Sequence, residues 1–146
     1  MKKTCLISFL VIALILTSCN GTSAEKEVFA IRDKMFIAQI NDIYLNFDDY
    51  KNKIIALEGI YDEDIDPSTN ESHSYVLRYA PGCCGDDGIV GFEILYDSNI
   101  SLPKIDDWIE VYGTLKSIKR DGFSYIALQA SEINVLDVRG LEFVEE

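Results

Sequence analysis

Five runs rich in β-branched and aromatic residues follow one another in the second two thirds of the chain, and they constrain its fold most. They cover residues 53–61, 74–79, 89–96, 108–118 and 123–136. Alternation of apolar and polar residues, clearest in Ser74–Tyr79, is the period of a β-strand. Glycine lies inside two runs, at Gly59 and Gly113, where it allows the sharp bend of a barrel corner. The pattern favours a mainly β domain, a small five-stranded barrel of the oligonucleotide/oligosaccharide-binding (OB) type, with a β-sandwich as the alternative.

An N-terminal extension that contains a helix is predicted before these strands. Glu27–Ile31 is a short apolar run that could form a first strand. Apolar residues in Lys34–Phe47 recur at intervals of four, three and four residues, the stripe of an amphipathic helix, at Phe36, Ile40, Ile43 and Phe47. Asp33 is expected to cap the start of this helix. The last β run could form one long strand or two short ones, and the turn Arg120–Gly122 before it suits a hairpin.

The first residues have the three parts of a bacterial lipoprotein signal. Lys2 and Lys3 are basic, and residues 6–16 are apolar but too short to span a bilayer as a stable helix. Leu16-Thr17-Ser18-Cys19 then has the form of a lipobox. An ordinary secretory signal with an incidental cysteine is the alternative. We predict a lipoprotein signal peptide over residues 1–18, with cleavage before Cys19.

The arrangement and location of the mature protein follow from this predicted cleavage. Acyl chains, palmitate among them, would be attached at Cys19 and hold the protein at the membrane. Residues 19–26 are small and polar and would form a tether, and residues 27–146 a single domain. The predicted location is extracytoplasmic, lipid-anchored to the bacterial cell membrane.

The acidic composition narrows the classes of partner. Lysine and arginine total 13 against 25 acidic residues, a formal charge of −12, and removal of Lys2 and Lys3 with the signal would make it −14. Such a surface repels phosphate backbones and anionic lipid headgroups, so we expect no nucleic-acid partner and a membrane hold that depends on the lipid. Cations are the ligands that its field favours.

The most unusual motif is a pair of adjacent cysteines in a glycine-rich segment, "YAPGCCGDDGIVGF". Of four cysteines, Cys5 lies in the signal and Cys19 in the lipobox, which leaves Cys83 and Cys84 as the domain's thiols. Neighbouring residues of a strand point to opposite faces, so both thiols can reach one metal only where the backbone leaves strand geometry. Gly82 before the pair and Gly85 after it supply that freedom.

Three interpretations of the pair remain open. Thiolates suit zinc or cuprous copper, and Asp86 and Asp87 could add carboxylate oxygens, which zinc also accepts. Two thiolates and one aspartate make a three-ligand, open site. A disulfide between Cys83 and Cys84 would be strained, because adjacent α-carbons lie about 3.8 Å apart while most disulfides span about 4.4–6.8 Å. Simple packing of two small buried residues is the third interpretation.

No catalytic residues are predicted. The chain has one histidine, His73, so no Ser-His-Asp or Cys-His arrangement can be argued. His73 would begin the strand that precedes the cysteines, at the far end of the hairpin, and is a weak candidate for the same metal site. The chain is therefore not expected to be an enzyme.

Three segments resemble an uncharacterised bacterial domain family. They are "FIAQINDIYLNFDDYKNKIIALEGIY", "YVLRYAPGCCGDDGIVGFEI" and "DDWIEVYGTL". The shared order is Tyr-x-x-Lys before a strand, a double cysteine closely followed by aspartate, and Trp-x-x-Val-x-Gly. Members include putative permease subunits with N-terminal transmembrane helices, typically with Cys-Cys-Ala-Ala-Asp, and some are encoded near zinc-homeostasis genes. In this chain Asp87 takes the aspartate position, while glycine and Asp86 replace the alanines.

The resemblance and the residues together give one expected function. The resemblance implies a lipoprotein branch of the family, in which a lipid anchor replaces the transmembrane helices. We expect an accessory protein of a membrane permease that binds zinc through Cys83, Cys84 and Asp87, with Asp86 as a further donor. The alternative is a non-catalytic interaction module whose cysteine segment is structural or forms a vicinal disulfide.

Overall fold

The computed structural model describes residues 26–82 and 85–145, without the side chains of residues 85–87. Its elements, in chain order, are β1 (Val28–Ala30), a 3₁₀ turn (Asp33–Met35), α1 (Phe36–Leu45), α2 (Phe47–Tyr50), β2 (Ile54–Ile65), β3 (Ser72–Gly82), β4 (Gly85–Leu95), β5 (Trp108–Arg120) and β6 (Phe123–Val135). In this part of the chain no helix is long and apolar enough to cross a membrane. The predicted signal over residues 1–18, the lipidation at Cys19 and the tether up to residue 25 lie outside the described residues.

Strands β2 to β6 form a closed five-stranded barrel, and β1 is one extra strand. The strand order is β2-β3-β4-β6-β5, and β5 pairs back with β2. Pairing within the barrel is antiparallel except between β4 and β6, and β1 runs parallel to β2. The predicted OB-like barrel with an N-terminal helix is confirmed, and a β-sandwich is excluded because one sheet closes on itself.

Helix α1 packs its apolar stripe into the barrel core. Phe36, Ile40 and Ile43 are buried and belong to the same cluster as inward-facing strand residues, among them Leu57, Val76, Phe92, Val111 and Leu128. The predicted stripe is confirmed, since Phe47 also packs against this core, but the helix ends at Leu45 and Phe47 begins the short helix α2. The predicted cap at Asp33 is wrong: Met35 precedes α1 without a side-chain cap, and the Asp33 carboxylate bonds elsewhere.

The longest hairpin joins β5 and β6 through two residues. Asp121 and Gly122 have φ values of 52° and 83°, which are the left-handed conformations of a type I′ turn. The residues over 123–135 form one continuous strand. The register shifts after Tyr112, and a Cβ placed on Gly113 would lie 2.5 Å from the Gln129 carbonyl oxygen. Glycine thus allows the close approach of backbones at this bend of the barrel.

Arg78 of β3 is a charged side chain inside the fold. It is 1 % exposed. Its Nε donates to the Glu58 carbonyl oxygen at 2.8 Å, and its Nη1 donates to Asp33 Oδ1 at 2.7 Å. The guanidinium carbon lies 4.5 Å from the ring centroid of Phe36 and 5.0 Å from that of Trp108. One side chain therefore joins the 3₁₀ turn, β2, α1 and β5.

The position of Glu58 explains why an arginine is accommodated there. Along one edge of β2, pairing with β1 ends at Ala56 and pairing with β3 begins at Ile60. The Glu58 carbonyl falls in the interval between these partners, where a buried acceptor without a donor would be costly. Arg78 supplies that donor.

The exchange Gly113→Ala should destabilise the barrel. The new Cβ would contact the Gln129 carbonyl oxygen at 2.5 Å and the Leu128 side chain at 2.9 Å, so strands β5 and β6 must separate locally. We expect a loss of about 1–3 kcal/mol in the free energy of unfolding, measured with urea. The control Lys116→Ala, at an exposed site on the same strand, should change it by less than about 0.5 kcal/mol. Equal stability of the two variants would contradict this role of Gly113.

The exchange Asp33→Ala should cost more than its exposure suggests. The Asp33 side chain is 51 % exposed, yet its removal would leave the buried Arg78 charge without its counter-ion. We expect a loss of about 2–4 kcal/mol in the free energy of unfolding, against less than about 0.5 kcal/mol for Asp48→Ala in the exposed pair with Lys51.

A double-mutant cycle separates this effect from simple loss of a surface contact. In an Arg78→Met background no buried charge remains, so Asp33→Ala should then have little further effect. Additive losses in the double variant would show that Asp33 acts independently of Arg78.

Candidate functional site

The tip of the β3–β4 hairpin carries the predicted metal ligands. Gly82 pairs with Gly85, and a register shift lies between Ala80 and Gly82. This pairing leaves two residues, Cys83 and Cys84, to connect the strands, and both lie outside the described residues.

The side chains of Asp86 and Asp87 also lie outside the described part of the chain. A meeting of the four predicted donors therefore stays a prediction. Elsewhere in the described part of the chain, no three side chains of His, Cys, Asp or Glu are grouped to hold a metal ion.

His73 lies at the opposite end of this hairpin. Its register partner is Asp64 of β2, and Ser74 beside it pairs with Ile94 near the end of β4. At a rise of about 3.3 Å per residue, His73 is roughly 30 Å along β3 from Gly82. His73 is therefore not positioned to join the cysteines, in agreement with the expectation from the sequence.

His73 instead takes part in a charged cluster that sequence reasoning missed. Its Nδ1 lies 3.0 Å from Glu93 Oε1, and Arg120 Nη2 donates to the same oxygen at 2.7 Å. The His73 and Glu93 side chains are only 12 % and 11 % exposed. His73 Nε2 is buried without a hydrogen-bond partner among the described residues. The cluster ties together β3, β4 and β5, and an acidic residue inside the apolar run of β4 was its only signal in the sequence.

A cleft opens beside this cluster where β4 and β6 separate. The two strands pair only over Glu93–Leu95 and Ala127–Gln129, the shortest junction of the barrel. The cleft has a volume of about 290 Å³. Its walls include the aromatic side chains Tyr44, Tyr75, Phe92 and Tyr125, with Glu93 and Arg120 at one end. Tyr44 of α1 stacks on Phe92, with ring centroids 5.7 Å apart.

The electrostatic environment of the cleft is set by burial and by acids. Burial raises the pKa of Tyr44 and, with the nearby Glu93 charge, that of Tyr75. The hydrogen bond to Glu93 is the main cause that raises the pKa of Arg120. Both tyrosines are therefore neutral and Arg120 is protonated at physiological pH. Glu93 is already bonded, so it is not a free general base.

A larger cavity of about 390 Å³ lies beside Arg78. Three acidic side chains of its lining have partners within the protein. Glu58 Oε2 accepts from Trp108 Nε1 at 3.1 Å, Glu110 Oε1 accepts from the Tyr112 hydroxyl at 2.9 Å, and Asp33 pairs with Arg78. These contacts hold parts of the fold together, so none of the three carboxylates is free to bind a ligand in the cavity.

Comparisons with known proteins identify a family and no activity. No curated protein matches the chain. Among solved structures, the chain is similar to a small single-stranded DNA-binding protein from Streptomyces coelicolor, with 17 % identity and a TM-score of 0.36. That match covers 60 % of this chain and 96 % of the other. The family profile of the DUF1980 C-terminal domain matches residues 16–145, nearly the whole barrel chain and the predicted lipobox.

This match confirms that the chain belongs to an uncharacterised family, as the motifs predicted. The permease association and the lipoprotein branch are finer statements that the match leaves as proposals. With a closed barrel over β2–β6 and a family match over residues 16–145, the chain is a member of the DUF1980 C-terminal domain family.

Proposed function

We propose that this protein is a lipid-anchored, extracytoplasmic accessory of a membrane permease that binds a thiophilic metal ion, zinc foremost. The proposed ligands are Cys83, Cys84 and Asp87, with Asp86 as a further carboxylate donor. The observation that carries the proposal is the pairing of Gly82 with Gly85. A connection of only two residues between these glycines would free the cysteines from the alternation that sends strand neighbours to opposite faces.

The chemistry of the donors fits zinc in an open site. Zinc accepts thiolate sulfur and carboxylate oxygen in a tetrahedral arrangement. Three protein ligands leave one position for water or for a group of a partner, which suits delivery of an ion better than permanent structural binding. The formal charge of −12 adds a long-range attraction for cations.

The lipid anchor supports the accessory role. Acylation at Cys19 would place the folded domain close to the membrane, because β1, which pairs with β2 of the barrel, begins at Val28, nine residues after Cys19. Several acyl chains on one cysteine hold a protein more firmly than a single chain does. A partner within the membrane, a permease, is therefore within reach of the barrel.

Stoichiometric zinc binding that depends on the cysteine pair is the first expectation. Lipid-free protein, reduced and then exposed to zinc, should carry one zinc ion in native mass spectrometry. The variant Cys83→Ser/Cys84→Ser should lose that ion. Loss of a residue that hydrogen-bonds a metal ligand weakens metal binding about 10–100-fold, and Asp87→Asn, which removes a proposed ligand itself, should weaken zinc binding at least as much. Asp62→Asn/Asp64→Asn, in the acidic β2 end, is the matched control and should bind as the original protein does.

Two results would contradict the metal site. One is equal binding by the cysteine double variant. The other is a thiol count of zero in the purified protein before reduction, with two thiols released by reductant and no zinc bound afterwards. That second result favours the alternative function, an interaction module with a vicinal disulfide, which would be strained and easily reduced.

Membrane attachment should depend on Cys19. In bacterial cells the original protein should fractionate with membranes and carry the mass of acyl chains, because a thiol at the lipobox accepts the lipid. The exchange Cys19→Ser should abolish both properties, since a hydroxyl does not replace the thiol. Cys5→Ser, within the signal, should leave them unchanged. Acylation of the Cys19→Ser variant would exclude the predicted anchor.

A further inference from the structure

The β4–β6 seam, the gap between these strands before their junction at Glu93 and Ala127, has two incompletely paired strand edges. One edge of β4 pairs with β3 from Gly85 onward, and one edge of β6 pairs with β5 from Phe123 onward. Their facing edges meet only at the junction. Among the described residues, no hydrogen bond joins Gly88–Phe92 to Phe123–Ile126. An unpaired edge of this kind is a template for another extended chain.

The surface along the seam is apolar. Ile89 is 65 % exposed, and Tyr44 and Tyr125 are about half exposed. These side chains line the cleft of about 290 Å³, a volume suited to one or two side chains of an inserted segment. Exposed apolar side chains grouped around a strand edge are typical of peptide recognition by strand addition, in which main-chain hydrogen bonds give affinity and pockets for alternate side chains give specificity.

The charged end of the seam indicates the sign of the partner's charge. Glu93 lies there with Arg120, and Asp64 lies beside them, because its register partner His73 contacts Glu93. Acidic groups therefore outnumber the one arginine, and His73 is bonded within the same cluster. The chain as a whole is also negative, with a formal charge of −12. Charge complementarity favours a basic segment and disfavours acidic peptides.

We propose that the β4–β6 seam binds an extended polypeptide segment of a partner protein, with apolar and basic residues in alternation. The segment adds as a strand along the free edge of β4, with its apolar side chains in the cleft. Its basic side chains point toward the acidic end and the surrounding solvent. This inference is independent of the metal site, because none of the residues that carry it is a proposed metal ligand.

Selection from a random peptide library tests the proposal with no assumption about the sequence of the partner. Displayed peptides of about eight residues, the length of an ordinary strand, are selected on the immobilised lipid-free protein with a chelator present. We expect enriched sequences that alternate apolar residues with lysine or arginine. A synthetic peptide of the enriched sequence should shift the backbone amide NMR signals of Gly88–Phe92. The chelator separates this result from any failure of the zinc proposal.

Two comparisons identify strand addition as the cause of binding. Two peptides are compared, one methylated at the backbone nitrogens of its odd-numbered residues and one at those of its even-numbered residues. One of the two should bind at least about tenfold more weakly than the parent, because its methyl groups remove the donors that face the strand edge. The exchange Ile89→Lys should weaken binding of the basic peptide to a similar extent, because it places a positive charge in the cleft. The matched control Ile105→Lys, at a site that is 61 % exposed and not part of the cleft lining, should bind unchanged.

Several outcomes would overturn the proposal. They are no enriched sequence, an acidic consensus, equal binding by both N-methylated peptides and the parent, or NMR shifts remote from the seam. A further contradicting outcome comes from sedimentation of the free protein. If the protein is a dimer and Ile89→Lys dissociates it, the seam binds a second copy of this chain and not a partner protein.

Discussion

The buried guanidinium of Arg78 is the interaction on which the other parts of the barrel depend. It lies where β2 changes its neighbour from β1 to β3, and it satisfies the Glu58 carbonyl left between them. It also contacts Phe36 of the main core and Trp108 of the smaller cluster formed with Ile60 and Leu77. A buried charge is tolerated because a counter-ion, a carbonyl and two aromatic faces surround it.

The same architecture leaves the barrel least complete at the junction of β4 and β6. Parallel pairing extends over three residues there, whereas β5 and β6 pair along almost their entire length. Strand β4 therefore has two distinct ends. Its start follows the two cysteines and contains Asp86 and Asp87 of the proposed zinc site, and its end carries Glu93 in the cluster with His73 and Arg120. The two proposed sites therefore adjoin the same strand but use different chemistry, thiolate and carboxylate donors in one and strand edges in the other.

Much of the fold could be predicted because its signals are local. Alternation located the five barrel strands, the interval of Phe36, Ile40 and Ile43 located α1, and the turn at Asp121 and Gly122 located the hairpin. The misplaced cap shows the limit of such signals. Asp33 had the residue type of a cap, but a buried arginine that is 45 residues distant in the chain takes its carboxylate. Competition between partners at that distance leaves no local pattern.

The sequence by itself determined which segments become strands and helix, the family, and the residue types of the proposed zinc site, because periodicity, turn chemistry and motifs are properties of neighbouring residues. Tertiary structure decided three other features: the burial of Arg78, the cluster of His73, Glu93 and Arg120, and the seam between β4 and β6. Each depends on strands that are distant in sequence but adjacent in the barrel. Barrel closure sets their register, and no single segment of the chain encodes it.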